Sequence, residues 1–108
     1  MKTPKKFLGT WRIVETEMWD RDALDLVVPA HIDFVDNGLG HFRMSAVEGG
    51  LDCRFEGNRV EFSWIGDDDG EPRNGRGSAQ LGDDGVMRGR IYFHQGDDFS
   101  FVARRKKA

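Results

Sequence analysis

Apolar side chains recur at every second residue along most of this chain, in short runs set between turns rich in Gly, Asp and Asn. The clearest run covers residues 58–64, where Val60, Phe62 and Trp64 alternate with Arg59, Glu61 and Ser63. Strict alternation is the pattern of a strand with one dry face and one wet face. In chain order, the dry faces read Trp11/Ile13, Ile32/Phe34, Phe42/Met44/Ala46, Leu51/Cys53/Phe55 and Val60/Phe62/Trp64, then Gly77/Ala79/Leu81, Met87/Gly89/Ile91/Phe93 and Phe99/Phe101/Ala103. That predicts about eight strands.

The connections are short. Asp36-Asn37-Gly38 and Gly57-Asn58 are hairpin signals, because Asn and Gly accept positive φ at little cost. Further turns are predicted at Glu48-Gly49-Gly50, at residues 82–85 and at residues 95–98, with a long polar loop over residues 66–75. Short connections make consecutive strands antiparallel neighbours. The predicted fold is therefore all-β, an antiparallel meander of about eight strands. It closes into a barrel or splits into a sandwich, since open edges invite aggregation. Inward glycines at 77 and 89 permit strong bending and favour the barrel.

One stretch breaks the alternation. Over residues 15–29, Trp19, Ala23, Leu24, Val27 and Val28 recur at three to four residues. A short helical turn is predicted there, capped by Asp20 or Asp22 and followed by Pro29. A short strand over residues 25–28 is the alternative. Such a segment between the first two strands covers a barrel mouth and serves as the lid of any pocket. Phe7 and Leu8 plug one end, and residues 1–6 and 105–108 are expected to be loose termini of a single 1–108 domain.

Gly9-x-Trp11 on the first strand, the all-β meander after it and the arginines at the end of the last strand resemble the lipocalin and wider calycin pattern. The resemblance implies a lipocalin-like barrel, with the tryptophan on its floor under a basic side chain from the last strand. Arg104 or Arg105 is the candidate for that cation–π partner. Neither that family's signal peptide nor its disulfide nor its long C-terminal helix is expected here, so the implied form is a minimal barrel. Taken whole, it also resembles small uncharacterised bacterial proteins of this kind, which implies no activity.

Composition narrows the function classes. The 108 residues carry 16 basic and 19 acidic side chains, a net charge of −3, which argues against a nucleic-acid partner. No apolar run is long enough to span a bilayer, so no membrane partner is expected. Without a recognisable leader, and with one cysteine that has no internal partner, the expected location is cytoplasmic. Cys53 reads as a core filler. Asp67-Asp68-Asp69-Gly70-Glu71 lacks the alternate-ligand spacing of a calcium loop and reads as a solvated turn. His31, His41 and His94 show no metal-ligand spacing, so neither a metal nor a cofactor is expected. A catalytic pairing of His31 or His41 with Asp33 or Asp36 requires convergence in a cleft.

Function then depends on the interior. Trp11, Phe42, Phe55, Phe62, Trp64, Phe93, Phe99 and Phe101 all point inward, which predicts a largely packed barrel. Ala46, Gly77, Ala79, Gly89 and Ala103 leave room for a small apolar pocket if they cluster at one end. The expected activity is non-enzymatic binding of a small apolar ligand by Trp19, Leu24, Phe42, Met44, Phe62, Trp64, Met87 and Phe93. A protein–protein module or homodimer without a ligand is the second expectation. Outward Arg43, Arg54, Arg76, Arg88, Arg90 and Arg104 form cross-strand ion pairs or, in the sharper reading, an anion- or partner-binding strip.

Overall fold

The computed structural model describes residues 2–106. Eight strands follow one another: β1 (Gly9–Thr16), β2 (His31–Phe34), β3 (Leu39–Met44), β4 (Val47–Glu56), β5 (Arg59–Asp68), β6 (Glu71–Leu81), β7 (Val86–Phe93) and β8 (Asp98–Arg105). Each pairs antiparallel with the next, and β8 returns to pair with β1, so the meander closes into a barrel. The seam sets Ile13 against Ala103 and Trp11 against Arg105, with a bulge at Val14. One short helix, α1 (Arg21–Leu24), follows β1, and Asp20 caps it by accepting from the Ala23 N–H. Among the described residues, no helix is long and apolar enough to cross a membrane.

Two turns fall elsewhere than the sequence suggests. The β3–β4 turn is Ser45-Ala46, with Ser45 at φ 55°, so Gly49 and Gly50 lie inside β4. Ala46 is thus a turn residue, and Val47 begins the next dry face. The supposed long loop over residues 66–75 is mostly strand. Asp67 pairs with Pro72, and the turn is only Asp69-Gly70, both at positive φ (52° and 87°). Asp-Gly is a preferred pair for such a tight hairpin. Its place within a longer polar run hid it.

The termini are not loose where they are described. Thr3 is 1% exposed. Its hydroxyl donates to the Val35 carbonyl (2.6 Å) and accepts from the Gly38 N–H (2.9 Å). A buried hydroxyl satisfied on both sides holds residues 3–7 against the β2–β3 turn. Arg105 belongs to β8, and the Lys106 N–H donates to the Thr10 carbonyl. Residues 1, 107 and 108 lie outside the described residues.

The interior is filled. Phe7 is fully buried at one end, with ring centroids 5.7 Å from Phe34 and 5.1 Å from Phe55. Trp11 donates its indole N–H to the Phe7 carbonyl (3.0 Å). Above it, the Arg105 guanidinium lies 4.3 Å from the indole and donates to the Leu8 and Lys6 carbonyls. Rings occupy the space beside two of the small inward residues. A Cβ on Gly77 would stand 2.5 Å from the Phe62 ring, and one on Gly89 would stand 2.6 Å from Phe101. Gly49 makes the same allowance for Trp64 and Phe42. A ring laid over a strand glycine is a recognised way to cover a sharply bent sheet.

Candidate functional site

The segment between β1 and β2 is held by one carboxylate. Asp25 accepts from both terminal nitrogens of Arg12 and from the Ala30 N–H (2.9 Å). The Arg12 hydrogen bonds, aided by the Ala30 N–H and the positive charge nearby, hold the Asp25 carboxyl below its usual range. The Leu24 carbonyl accepts from the Ser45 N–H (2.8 Å), which ties α1 to the β3–β4 turn. Leu24 is buried and Trp19 is half-buried, its ring 5.2 Å from Phe99 and edge-on to it.

Trp19 ends an aromatic chain that runs into the barrel. Phe99 meets Phe93 at 6.1 Å, Phe93 meets Trp64 at 5.2 Å, and Trp64 meets Phe42 at 5.2 Å. Four of the eight residues expected to line a pocket lie on this chain: Trp19, Phe42, Trp64 and Phe93. Their packing is mutual. Phe42, Met44 and Met87 are fully buried, and Leu24, Phe62 and Trp64 are nearly so. Trp19 and Phe93 alone of the eight keep partial exposure while facing one surface concavity.

That concavity, about 550 Å³, sits at the mouth beside the β5–β6 and β7–β8 turns. Trp19, Phe93, Val47 and Met18 are its main apolar lining, and Arg73, Asn74, His94 and Asp97, with Asp68 and Gln95, make up a larger polar share. The β7–β8 turn is braced: the Phe93 N–H donates to the Asp97 carbonyl (2.9 Å), and the His94 N–H donates to the Asn74 carbonyl (2.8 Å). Its lining is more polar than that of most small-molecule sites, so Trp19 and Phe93 supply most of its apolar contact. Arg73 and Asn74 lie on β6 and His94 and Asp97 in the β7–β8 turn, so no local pattern in the sequence marks them as neighbours. Trp19 and Phe93 were legible as aromatics.

Of the other candidate groups, His31 and Asp33 both line one open groove on the outer face, but the His31 ring bonds the Pro29 carbonyl and not Asp33. The His31 and His41 rings lie 5.9 Å apart on the outer face. His31 Nδ1 meets the Pro29 carbonyl (2.9 Å), and His41 Nε2 lies 3.4 Å from Glu48, not from Asp33 or Asp36 as a catalytic pair would need. Among the described residues, no three His, Cys, Asp or Glu side chains come together as metal ligands. Burial pushes the Cys53 thiol up to about 12, so it stays protonated and unreactive at neutral pH. Asp67 accepts from the Gly70 N–H (3.1 Å) and so serves the hairpin. Every buried side-chain polar atom among the described residues has a partner, which leaves none inside to orient a substrate.

No protein-family model matches the chain, and no curated protein is significantly similar to it.

Proposed function

We propose that this protein binds a small apolar molecule, without catalysis, at the mouth of the barrel rather than inside it. The observation that carries this reading is the half-buried Trp19–Phe93 floor, continuous with the core yet open to one concavity of ligand size. An aromatic surface held rigid from behind loses little entropy on binding. The Arg73, Asn74, His94 and Asp97 rim would select molecules that also carry a polar group. The closed meander, Gly9-x-Trp11 and the Arg105–Trp11 contact support kinship with the lipocalin-like barrels. Kinship of that kind fits ligand handling at an open end.

The test is a titration with fatty acids, haem and simple aromatic compounds, read by tryptophan fluorescence. Binding that quenches or shifts the signal, and that Trp19→Ala weakens at least about tenfold, supports the reading. A tenfold loss corresponds to about 1.4 kcal/mol. Absence of any response across the panel removes it.

A second reading, an interaction module or homodimer, is favoured by one observation. Leu26, Val27 and Val28 are consecutive and exposed at 67%, 54% and 41%. A strict monomer by sedimentation at millimolar concentration would remove the homodimer.

A further inference from the structure

The outward arginines divide by their partners. Arg43 pairs with Glu48 (2.9 Å), Arg54 with Asp52 (2.8 Å), Arg88 with Asp84 (3.2 Å) and Arg90 with Asp98 (2.6 Å). Arg76 lies over the Tyr92 ring at 4.6 Å. Among the described residues, Arg104 has neither a carboxylate within ion-pair reach nor a ring beneath it. The sheet register makes its position worse, because Arg12 stands directly opposite on β1. Like charges directly opposite in a sheet repel. Asp25 offsets Arg12 from the far side and leaves Arg104 uncompensated. Lys106 follows two residues on, by alternation on the same face.

These cations border a groove of about 820 Å³ on the outside of the β1–β8 seam. Val14 at the bulge, Val28 and Pro29 give it an apolar strip beside Thr10, His31 and Asp33. Arg12, Arg104, Arg105 and Lys106 line it against one carboxylate, Asp33, in a chain whose net charge is −3. We infer that this groove binds a free anionic amphiphile, with a carboxylate or phosphate head on Arg104 and Lys106 and a short apolar tail along Val14, Val28 and Pro29. Guanidinium suits such a head because its planar fork matches two oxygens at once. An exposed ion pair alone is weak, so the tail and the head must act together. β1 and β8 are paired on both sides, which leaves no backbone edge there for a peptide strand. A concave groove between side chains takes a single chain better than the flat face of a bilayer.

The test is an amide-shift titration with decyl phosphate below its micelle concentration. Shifts should centre on Val14, Val28, Arg104 and Lys106. Arg104→Gln and Val28→Asp should each weaken binding at least about tenfold, and Arg104→Gln should leave the unfolding midpoint unchanged or raised, since it relieves repulsion with Arg12. Trp19→Ala should leave this binding intact, so failure here is separable from failure at the mouth. The inference is overturned if decanol binds as tightly as decyl phosphate, or if inorganic phosphate alone does. It is also overturned if Arg104→Gln binds normally, or if the protein sediments with anionic phospholipid vesicles while ignoring the monomeric amphiphile.

Discussion

Single residues carry much of this fold because so few of them cover each joint. Asp25 answers Arg12 and the Ala30 N–H together, and its side chain is 24% exposed. Asp25→Asn should destabilise the protein by about 1–2 kcal/mol at pH 7, a charged hydrogen bond discounted for partial exposure. The folded carboxyl is held below its ordinary value. The stabilisation is therefore fully present above the unfolded pKa of about 3.9 and is lost as pH falls through the lower folded value. Urea midpoints of the two proteins should differ at pH 7 and draw together as the pH falls below the unfolded value. Gly77→Ala tests the ring-filled interior. Its Cβ would meet the Phe62 ring at 2.5 Å and the Arg90 carbonyl at 2.8 Å, so we expect a loss of about 2 kcal/mol. Phe62→Leu in the Gly77→Ala background should cost less than Phe62→Leu alone, a coupling that equilibrium unfolding would read.

At the scale of elements, hairpins set the register and therefore the faces. Gly70 sits at φ 87° in the two-residue β5–β6 turn. Gly70→Ala should lower stability by about 1 kcal/mol without altering ligand binding, a result that thermal unfolding beside a titration would check. The strand faces were legible from alternation alone, as Val60, Phe62 and Trp64 illustrate, because a one-residue slip would have wetted all three. The turns were less legible. Glu48-Gly49-Gly50 has the composition of a turn, yet Gly49 is there so that Phe42 and Trp64 can meet. Glycine reads alike whether it bends a loop or makes way for a ring, and only the opposite strand distinguishes the two. The candidate site was half legible for a related reason. Its aromatic floor belongs to strong local patterns, whereas Arg73, Asn74, His94 and Asp97 meet only once β6 has paired with β7.

On the scale of the whole molecule, closure joins the ends of the chain. Arg105, at the end of β8, covers Trp11 on β1 and holds the Lys6 and Leu8 carbonyls beside the Phe7 plug. Arg105→Ala should cost about 1–3 kcal/mol, the sum of an exposed cation–π contact and two carbonyl hydrogen bonds. Arg105→Lys should recover little, since an ammonium lacks the fork that spans both carbonyls. Denaturant unfolding, with amide exchange in β1 and β8 as the local readout, would measure both. Closure around rings also moves any ligand outward, and the methionines report on where it goes. Met18 lies at the mouth, 42% exposed, while Met44 and Met87 are fully buried in the barrel. The most direct measurement is a methionine-methyl NMR titration with an uncharged aromatic probe such as naphthol. The Met18 methyl should shift on binding while those of Met44 and Met87 stay in place. Shifts at Met44 and Met87 with Met18 unmoved would place the ligand inside the barrel and contradict the filled interior.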